Sequence, residues 1–210
     1  MASSSPWPLI HAERQALAAD LAALDGAGWA TPSLCDHWSV LDVLGHMTAA
    51  AKMTPPKFFA KLAASGFRFN ALTAKDISQE TAGGAAACLA EFRRVAPATT
   101  HPPGPVEAML GESVLHGEDI RRPLGIERAY PTEAVVRVAD FFKGSNLLIG
   151  SKTRIAGLTL RATDTEWSTG AGPEVTGPLL SLALSMTGRS AALDDLSGDG
   201  LQALRGRFSV

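Results

Sequence analysis

The sequence predicts an α+β protein in which a four-helix bundle precedes a small α+β unit. Two observations carry this prediction. Up to residue 125, apolar residues recur at helical spacing in segments separated by Pro- and Gly-rich loops. Beyond residue 125, short stretches alternate between apolar and polar residues, as half-buried strands do. We therefore assign residues 1–125 to a helical bundle and residues 126–210 to an α+β domain.

Each helix of the predicted bundle has its own sequence signals. An Ala/Leu-rich amphipathic stretch ends at Gly26 and Gly28. Ser39 followed by Asp42 resembles a capping box, with Asp in place of Glu, and so begins the next helix. Gly83 and Gly84 weaken the third helix and would allow close helix approach. The predicted helical segments are 9–25, 40–53 with a continuation over 57–66, 77–95 and 106–122.

The second unit is predicted as strands between helices. Alternation predicts a strand over 157–163, with 166–169 pairing back to it and 173–176 as a third strand. Thr132 is the expected N-cap of a helix that extends to 142. Further helical segments are expected over 178–186 and 201–204.

Composition narrows the function classes. The 210 residues carry a net charge of -2 without a basic block, which argues against a nucleic-acid binder. No apolar run approaches the ~20 residues that span a bilayer, and the N-terminus lacks signal-peptide features. Two cysteines are too few for a disulfide scaffold or a four-thiolate zinc site. We expect a cytoplasmic protein with neither nucleic-acid nor membrane partners.

The most informative spacing is that of Glu112 and His116, which lie four residues apart and therefore on one face of a helix. His46, on the second predicted helix, supplies another imidazole. Two imidazoles and one carboxylate form a three-ligand set that leaves a coordination position open, as in catalytic zinc sites. Ni²⁺ and Fe²⁺ suit the same ligands.

Other residues of similar chemistry have simpler interpretations. Asp42 is assigned to the helix start, where its charge favours the helix dipole. Asp119 is either an orienting partner of His116 or a surface charge. Trp38 is interpreted as a core residue in preference to a pocket-lining one. Residues without an expected function are Cys88, taken as a buried inert thiol, His11, taken as solvated or capping, and His37 and His101.

Several segments resemble the mycothiol-dependent maleylpyruvate isomerase family. They are WSVLDVLGHM at 38–47 and ESVLHGEDIR at 112–121, and in the second unit GLTLRATD at 157–164, Trp167, Gly172-Pro-Glu174, Gly188-Arg189 and Ser197-Gly-Asp-Gly200. The resemblance implies a DinB-like metal-binding four-helix bundle followed by a sterol-carrier-like domain.

The resemblance also implies a site and an activity. His46, Glu112 and His116 correspond to the family's metal ligands, with Zn²⁺ the foremost metal and mycothiol as cosubstrate. A metal-bound thiolate would act as nucleophile in a transferase or isomerase reaction on a small electrophile.

An anionic substrate would require an arginine near the open metal position. The unranked candidates are Arg121, Arg122, Arg189, Arg205 and Arg207. The alternative function is a non-catalytic metal- or ligand-binding module in stress response or regulation. The oligomeric state stays open, with a homodimer as one option.

Overall fold

The computed structural model describes residues 4–147 and 149–208. The chain divides into two compact units, Met1–Arg128 and Ala129–Val210, whereas the sequence places the boundary after residue 125. In the described residues, the first unit is helical and the second contains a three-stranded sheet. The predicted α+β class is therefore confirmed. No described helix is both long and apolar enough to cross a membrane.

The helices of the first unit are α1 Trp7–Asp20, α2 Gly26–Trp29, α3 Val40–Ala51, α4 Pro55–Ala64, α5 Phe69–Thr81, α6 Gly84–Val95 and α7 Glu107–Arg121. Helices α1 and α3 each pack against both α6 and α7, which closes a four-helix bundle. Helix α5 lies against α3 and α6, and α4 packs on α5. The bundle core is apolar and includes Leu17, Leu21, Val43, Leu44, Met47, Leu89, Phe92 and Ile120.

The start of α3 confirms the predicted capping box. The Ser39 hydroxyl accepts a hydrogen bond from the Asp42 backbone N–H at 3.2 Å, and the Asp42 carboxylate accepts one from the Ser39 N–H at 2.9 Å. These reciprocal bonds satisfy N–H groups that have no partner within the helix. Asp42 therefore serves the helix start, as the sequence indicated.

The predicted single helix over 77–95 is wrong. Helix α5 begins at Phe69, outside every predicted helical segment, and ends at Thr81. Helix α6 begins at Gly84, whose φ of 79° favours glycine. No atom lies within 4 Å of a Cβ built at Gly84, and Gly83 approaches only Ala87 of the following helix. The two glycines therefore serve the chain reversal and do not bring separate helices close together.

The second unit contains α8 Thr132–Lys143, α9 Ser151–Arg154, β1 Thr159–Ala162, β2 Ser168–Gly170, β3 Glu174–Gly177, α10 Leu179–Met186 and α11 Leu201–Arg205. Strand β1 lies in the middle of the sheet, antiparallel to β2 and parallel to β3. All three predicted strands are present. Thr132 is the first residue of α8, and Pro131 takes the N-cap position in its place. Helix α10 packs against α8 and β1.

Candidate metal centre

Two packed helices bring the three predicted ligands together. His46 lies on α3, and Glu112 and His116 lie one turn apart on α7, which packs against α3. One ligand atom from each residue lies within 4.8 Å of the others. The side chains are 15–21% exposed, so the cluster is shielded but reachable from solvent.

The carboxylate of Glu112 lies between the two imidazoles. Its Oε1 is 2.9 Å from His46 Nε2, and its Oε2 is 3.7 Å from His116 Nε2. The two imidazole rings meet edge to face, with centroids 5.1 Å apart and planes at 79°. Both Nε2 atoms therefore approach the same carboxylate from different directions.

This donor set fits a divalent cation. Imidazole nitrogen and carboxylate oxygen are ordinary ligands of Zn²⁺ and of neighbouring transition metals. Glu112 Oε1 is buried and accepts no hydrogen bond within residues 4–147 and 149–208, despite its short distance to His46. A buried oxygen without a hydrogen bond is costly, so its lone pairs are well placed for a cation.

Electrostatics keeps Glu112 ionised. Burial alone would raise its pKa, but the nearby His46, His116 and Arg14 outweigh burial and lower the pKa to about 2. For His46, burial favours the neutral ring, but the carboxylates of Glu112, Asp76 and Asp119 together outweigh burial and raise its pKa. The Glu112 carboxylate is thus ready to bind a cation, and His46 would bind one as the neutral ring.

Asp119 orients His116, and the surface-charge alternative is wrong. Its side chain is fully buried, and its Oδ2 lies 2.7 Å from His116 Nδ1. A carboxylate on Nδ1 favours the tautomer in which Nε2, on the side of Glu112, carries the lone pair that can ligate a metal.

Cys35, which the sequence reasoning did not connect with the site, also reaches this carboxylate. Its Sγ donates to Asp119 Oδ2 at 3.1 Å and lies 3.6 Å from His116 Nδ1. Cys35, His116 and Asp119 therefore form a second group of potential ligand atoms, on the Nδ1 side of the ring. The sequence contains no spacing that relates Cys35 to α7. The relation arises only in the fold, where the backbone N–H of Leu34 donates to the Asp119 carbonyl and holds the loop against α7.

Trp38 lies beside the site as well as against the bundle core, so the two interpretations from the sequence both apply. Its ring centroid is 5.1 Å from that of His46 and 6.4 Å from that of His116. The half-buried ring also packs against the bundle core. Trp38 therefore forms an apolar wall of the metal centre and restricts the His46 ring.

Arg14, on α1, is the arginine that the sequence reasoning missed. Its side chain is 2% exposed, and its Nη1 donates to the Ala98 carbonyl at 3.1 Å. Burial lowers its pKa to about 10, although the Glu112 carboxylate acts in the opposite direction. Arg14 belongs to no sequence motif. Its electrostatic relation to Glu112 arises only because α1 packs against α7.

The candidate arginines named from the sequence have other contacts. Arg121 pairs with Asp20 at 2.7 Å, and Arg122 pairs with Glu118 at 2.9 Å. In the second unit the contacts are those of Arg189 with the Thr187 carbonyl, Arg205 with Asp194, and Arg207 with the carbonyls of Arg154 and Ala156.

Four residues to which the sequence assigned no function belong to neither group of potential ligands. They are His11, His37, His101 and Cys88. His101, which its loop position predicts to be exposed, is half-buried, as is His11, and each contacts a backbone carbonyl. His37 is exposed. Cys88 is fully buried, and burial raises the pKa of its thiol to about 11, as expected of an inert thiol.

Fold and site together define a helical bundle with a two-histidine, one-carboxylate candidate metal centre. The family model described as the mycothiol maleylpyruvate isomerase N-terminal domain matches residues 10–121, which include all three candidate ligands. The chain belongs to this family, as the sequence motifs predicted.

Solved structures agree with the family at the level of the fold. The crystal structure of the mycothiol-dependent maleylpyruvate isomerase is similar over 92% of this chain and 91% of that chain, with a TM-score of 0.53 and 15% identity. A histidine-to-alanine mutant of that enzyme matches over the same shares, with a TM-score of 0.51 and 17% identity. The search of curated protein sequences found no relative.

Proposed function

We propose that this protein is a metal-dependent, mycothiol-using transferase or isomerase that acts on a small electrophile. The observation that carries the proposal is the convergence of His46, Glu112 and His116 on one point in the bundle. The family and the descriptions of both solved neighbours support an enzyme of the maleylpyruvate isomerase kind. The cofactor we propose is Zn²⁺, with Ni²⁺ and Fe²⁺ as alternatives, and mycothiol is the proposed cosubstrate.

The chain's own residues prepare this chemistry. Glu112 and the Nε2 atoms of His46 and His116 would hold the ion, while Asp119 keeps the His116 ring in its orientation. When bound, a divalent ion lowers the pKa of a coordinated thiol, so that the thiolate nucleophile is available at neutral pH. Trp38 covers part of the site and limits the approach of water.

The two units have different roles in the proposal. The bundle, for which the sequence predicts residues 1–125, contains the complete candidate ligand set. The domain predicted over 126–210 is proposed to resemble sterol-carrier-like folds, and the protein is proposed to act in the cytoplasm.

Metal analysis and a thiol assay test the proposal. We expect the protein purified with added Zn²⁺ to hold close to one ion per chain, and His46→Ala to lose it. His37→Ala removes an exposed histidine outside the site and is the matched control. With mycothiol and a panel of small electrophiles, the wild type should either consume thiol, in a transfer reaction, or isomerise the electrophile and return the thiol, whereas Glu112→Ala and His116→Ala should do neither.

Two results would contradict the proposal. Equal metal contents in the wild type and His46→Ala would refute the ligand set. Stoichiometric metal with neither thiol consumption nor thiol-dependent isomerisation of any electrophile would favour the non-catalytic metal- or ligand-binding module instead.

A further inference from the structure

Four phenylalanines form a largely exposed patch on the first unit, where α4 is followed by α5. Phe67 is 77% exposed, Phe59 59% and Phe69 39%. The half-buried Phe58 joins the two helices, since its ring centroid lies 5.6 Å from that of Phe59 and 6.4 Å from that of Phe69. We call Phe58, Phe59, Phe67 and Phe69 the aromatic patch. Because α4 has no buried residue, the patch lies outside the bundle core.

Phe67 has a backbone conformation that phenylalanine seldom adopts. Its φ is 58°, directly after Gly66 at 63°, and its N–H donates to the Leu62 carbonyl at 2.9 Å, at the end of α4. Left-handed backbone suits glycine and asparagine and is strained for a bulky side chain. Burial of the ring could offset this strain, but the ring is exposed. The fold therefore gains little from an aromatic side chain at this position, which indicates a contact outside the chain.

The segment that carries the aromatic patch is basic. Residues 43–75 include five lysines and arginines and no aspartate or glutamate, whereas the whole chain has a net charge of -2. Lys52 and Lys61 are paired with carboxylates from outside this segment. Lys57 and Arg68, immediately beside the phenylalanines in the sequence, are exposed and form no ion pair in the part of the chain that the structure describes. The surroundings of the patch therefore attract an anionic partner.

Charge and shape distinguish three kinds of partner. A second copy of the chain, docked through the same surface, would bring two basic surfaces together, and like charges repel. Single-stranded nucleic acid binds in a basic groove lined by aromatic rings, whereas Phe67 protrudes from a turn next to Gly66, which has no neighbouring atom within 4 Å of an added Cβ. An anionic phospholipid surface fits both properties. Cations attract it, and exposed phenylalanines enter the boundary between head groups and acyl chains.

We propose that the aromatic patch, together with Lys57 and Arg68, binds an anionic phospholipid surface. Phe59 and Phe67 enter the interfacial region, and the two cations lie at the phosphate groups. The lack of an apolar run that could span a bilayer predicts no membrane partner, but a contact at the membrane surface needs no such run. None of these residues belongs to the candidate ligand set, so the proposal is independent of the metal centre.

Sedimentation with phospholipid vesicles tests the proposal on the full chain. We expect the protein to bind vesicles made of equal parts of phosphatidylglycerol and phosphatidylcholine, to bind pure phosphatidylcholine vesicles much more weakly, and to be released by salt. Phe67→Asn removes the ring and introduces a residue that tolerates left-handed backbone. It should weaken vesicle binding about tenfold or more, because one buried aromatic side chain is lost, while the thermal stability of the protein stays equal or rises.

Charge variants and matched controls complete the experiment. Lys57→Glu and Arg68→Glu should each weaken vesicle binding about fivefold or more and reduce its dependence on salt. Leu147→Gln alters an exposed apolar residue of the second unit, and Lys152→Glu alters an exposed cation there. Both controls should bind the vesicles as the wild type does.

Three results would overturn the proposal. The first is no binding of anionic vesicles by the wild type, or binding that Phe67→Asn and Lys57→Glu both leave unchanged. The second is binding of a single-stranded oligonucleotide in place of vesicles, lost in Phe67→Asn, which would assign the patch to nucleic acid. The third is dimerisation in sedimentation velocity in place of vesicle binding, also lost in Phe67→Asn, which would assign the patch to a second copy of the chain.

Discussion

Asp119 is the residue on which the orientation of His116 depends. It is fully buried, and its Oδ2 is close to both His116 Nδ1, at 2.7 Å, and Cys35 Sγ, at 3.1 Å. A buried carboxylate with two such partners holds the imidazole in one orientation. The geometry of the ligand set therefore depends on a residue that is itself not one of the three candidate ligands.

Replacement of Asp119 by Asn should weaken metal binding without abolishing the fold. We expect the Zn²⁺ affinity to fall about 10- to 100-fold, because the ring loses its anionic partner while the volume of the side chain is kept. Competition with a chromophoric chelator measures the affinity. Asp36→Asn, which alters an exposed carboxylate in the loop that carries Cys35, should bind as the wild type does. An unchanged affinity in Asp119→Asn would show that the contact has no orienting role.

The residues of the site differ in how far the sequence could predict them. Glu112 and His116 were predictable because helical geometry places positions i and i+4 on one face. His46 followed from its position in a second helix of the same bundle. Cys35 reaches the site through a loop hydrogen bond, and Arg14 influences the charge of Glu112 from the neighbouring helix α1. Neither residue leaves a spacing signal in the sequence.

At the scale of elements, the packing of α3 on α5 positions His46 through the neighbouring Gly45. A Cβ added at Gly45 would lie 2.8 Å from Thr81 Cγ2 and 3.5 Å from the Ile77 carbonyl. Thr81 cannot rotate freely, because its hydroxyl donates to the Ile77 carbonyl at 2.9 Å. Gly45 therefore permits an approach of the two helices that alanine would obstruct.

A double-mutant cycle tests this contact. Gly45→Ala should destabilise the protein by about 1–3 kcal/mol, since overpacking outweighs the better helix propensity of alanine. In the Thr81→Ser background, which lacks Cγ2 but keeps the hydroxyl, the same substitution should be neutral or stabilising by up to ~1 kcal/mol. Urea unfolding measures both. Equal effects in the two backgrounds would exclude the methyl contact as the cause.

Lys52 joins three helices through carboxylates. Following α3, its Nζ lies 2.6 Å from Glu80 of α5 and 3.0 Å from Glu91 of α6, and Arg94 binds Glu91 through two hydrogen bonds. Arg94 and then Lys52 lower the pKa of Glu91 to about 2. The pKa of Glu91 is lower in the folded protein than its ordinary value of 4.5. The ionised carboxylate therefore stabilises the folded state fully above pH 4.5, and this stabilisation is lost as the pH falls through about 2.

Glu91→Gln should show this dependence. At pH 7 we expect the free energy of unfolding to fall by about 1 kcal/mol. The loss should be no larger, because ion pairs that are partly exposed to solvent contribute little to stability. The difference from the wild type should persist down to about pH 4.5 and shrink at lower pH. Denaturant unfolding between pH 7 and pH 2 measures it, with the exposed Glu166→Gln as control. A difference that stays constant with pH would mean that the carboxylate charge is not responsible.

The elements also show where sequence patterns are ambiguous. The sequence predicted all three strands over 157–176. Residues of β1 and β3 alternate between buried and more exposed positions, whereas β2, which has no buried residue, was predicted as the segment that pairs back to β1. The stretch 77–95 kept a helical pattern across Gly83 and Gly84, although the chain reverses there. A turn between two packed helices depends on tertiary contacts, and the periodicity of apolar residues carries no information about those contacts.

At the scale of the whole molecule, the candidate ligand set lies entirely within the first unit. Its two helices, α3 and α7, are distant in the sequence and come together only in the folded chain. His46 and His116 are 70 residues apart in the sequence, so they can share an ion only when α3 packs on α7. Metal binding is consequently linked to folding of the bundle.

This linkage predicts a metal-dependent stability. With free Zn²⁺ at about 100 times its dissociation constant, the free energy of unfolding of the bundle should rise by about 2.7 kcal/mol. Hydrogen exchange should show the added protection in α3 and α7, since these helices carry the ligands. In His46→Ala the apo protein should keep its exchange pattern but gain no protection from Zn²⁺. Equal protection of this variant by Zn²⁺ would mean that the ion stabilises the protein from another site.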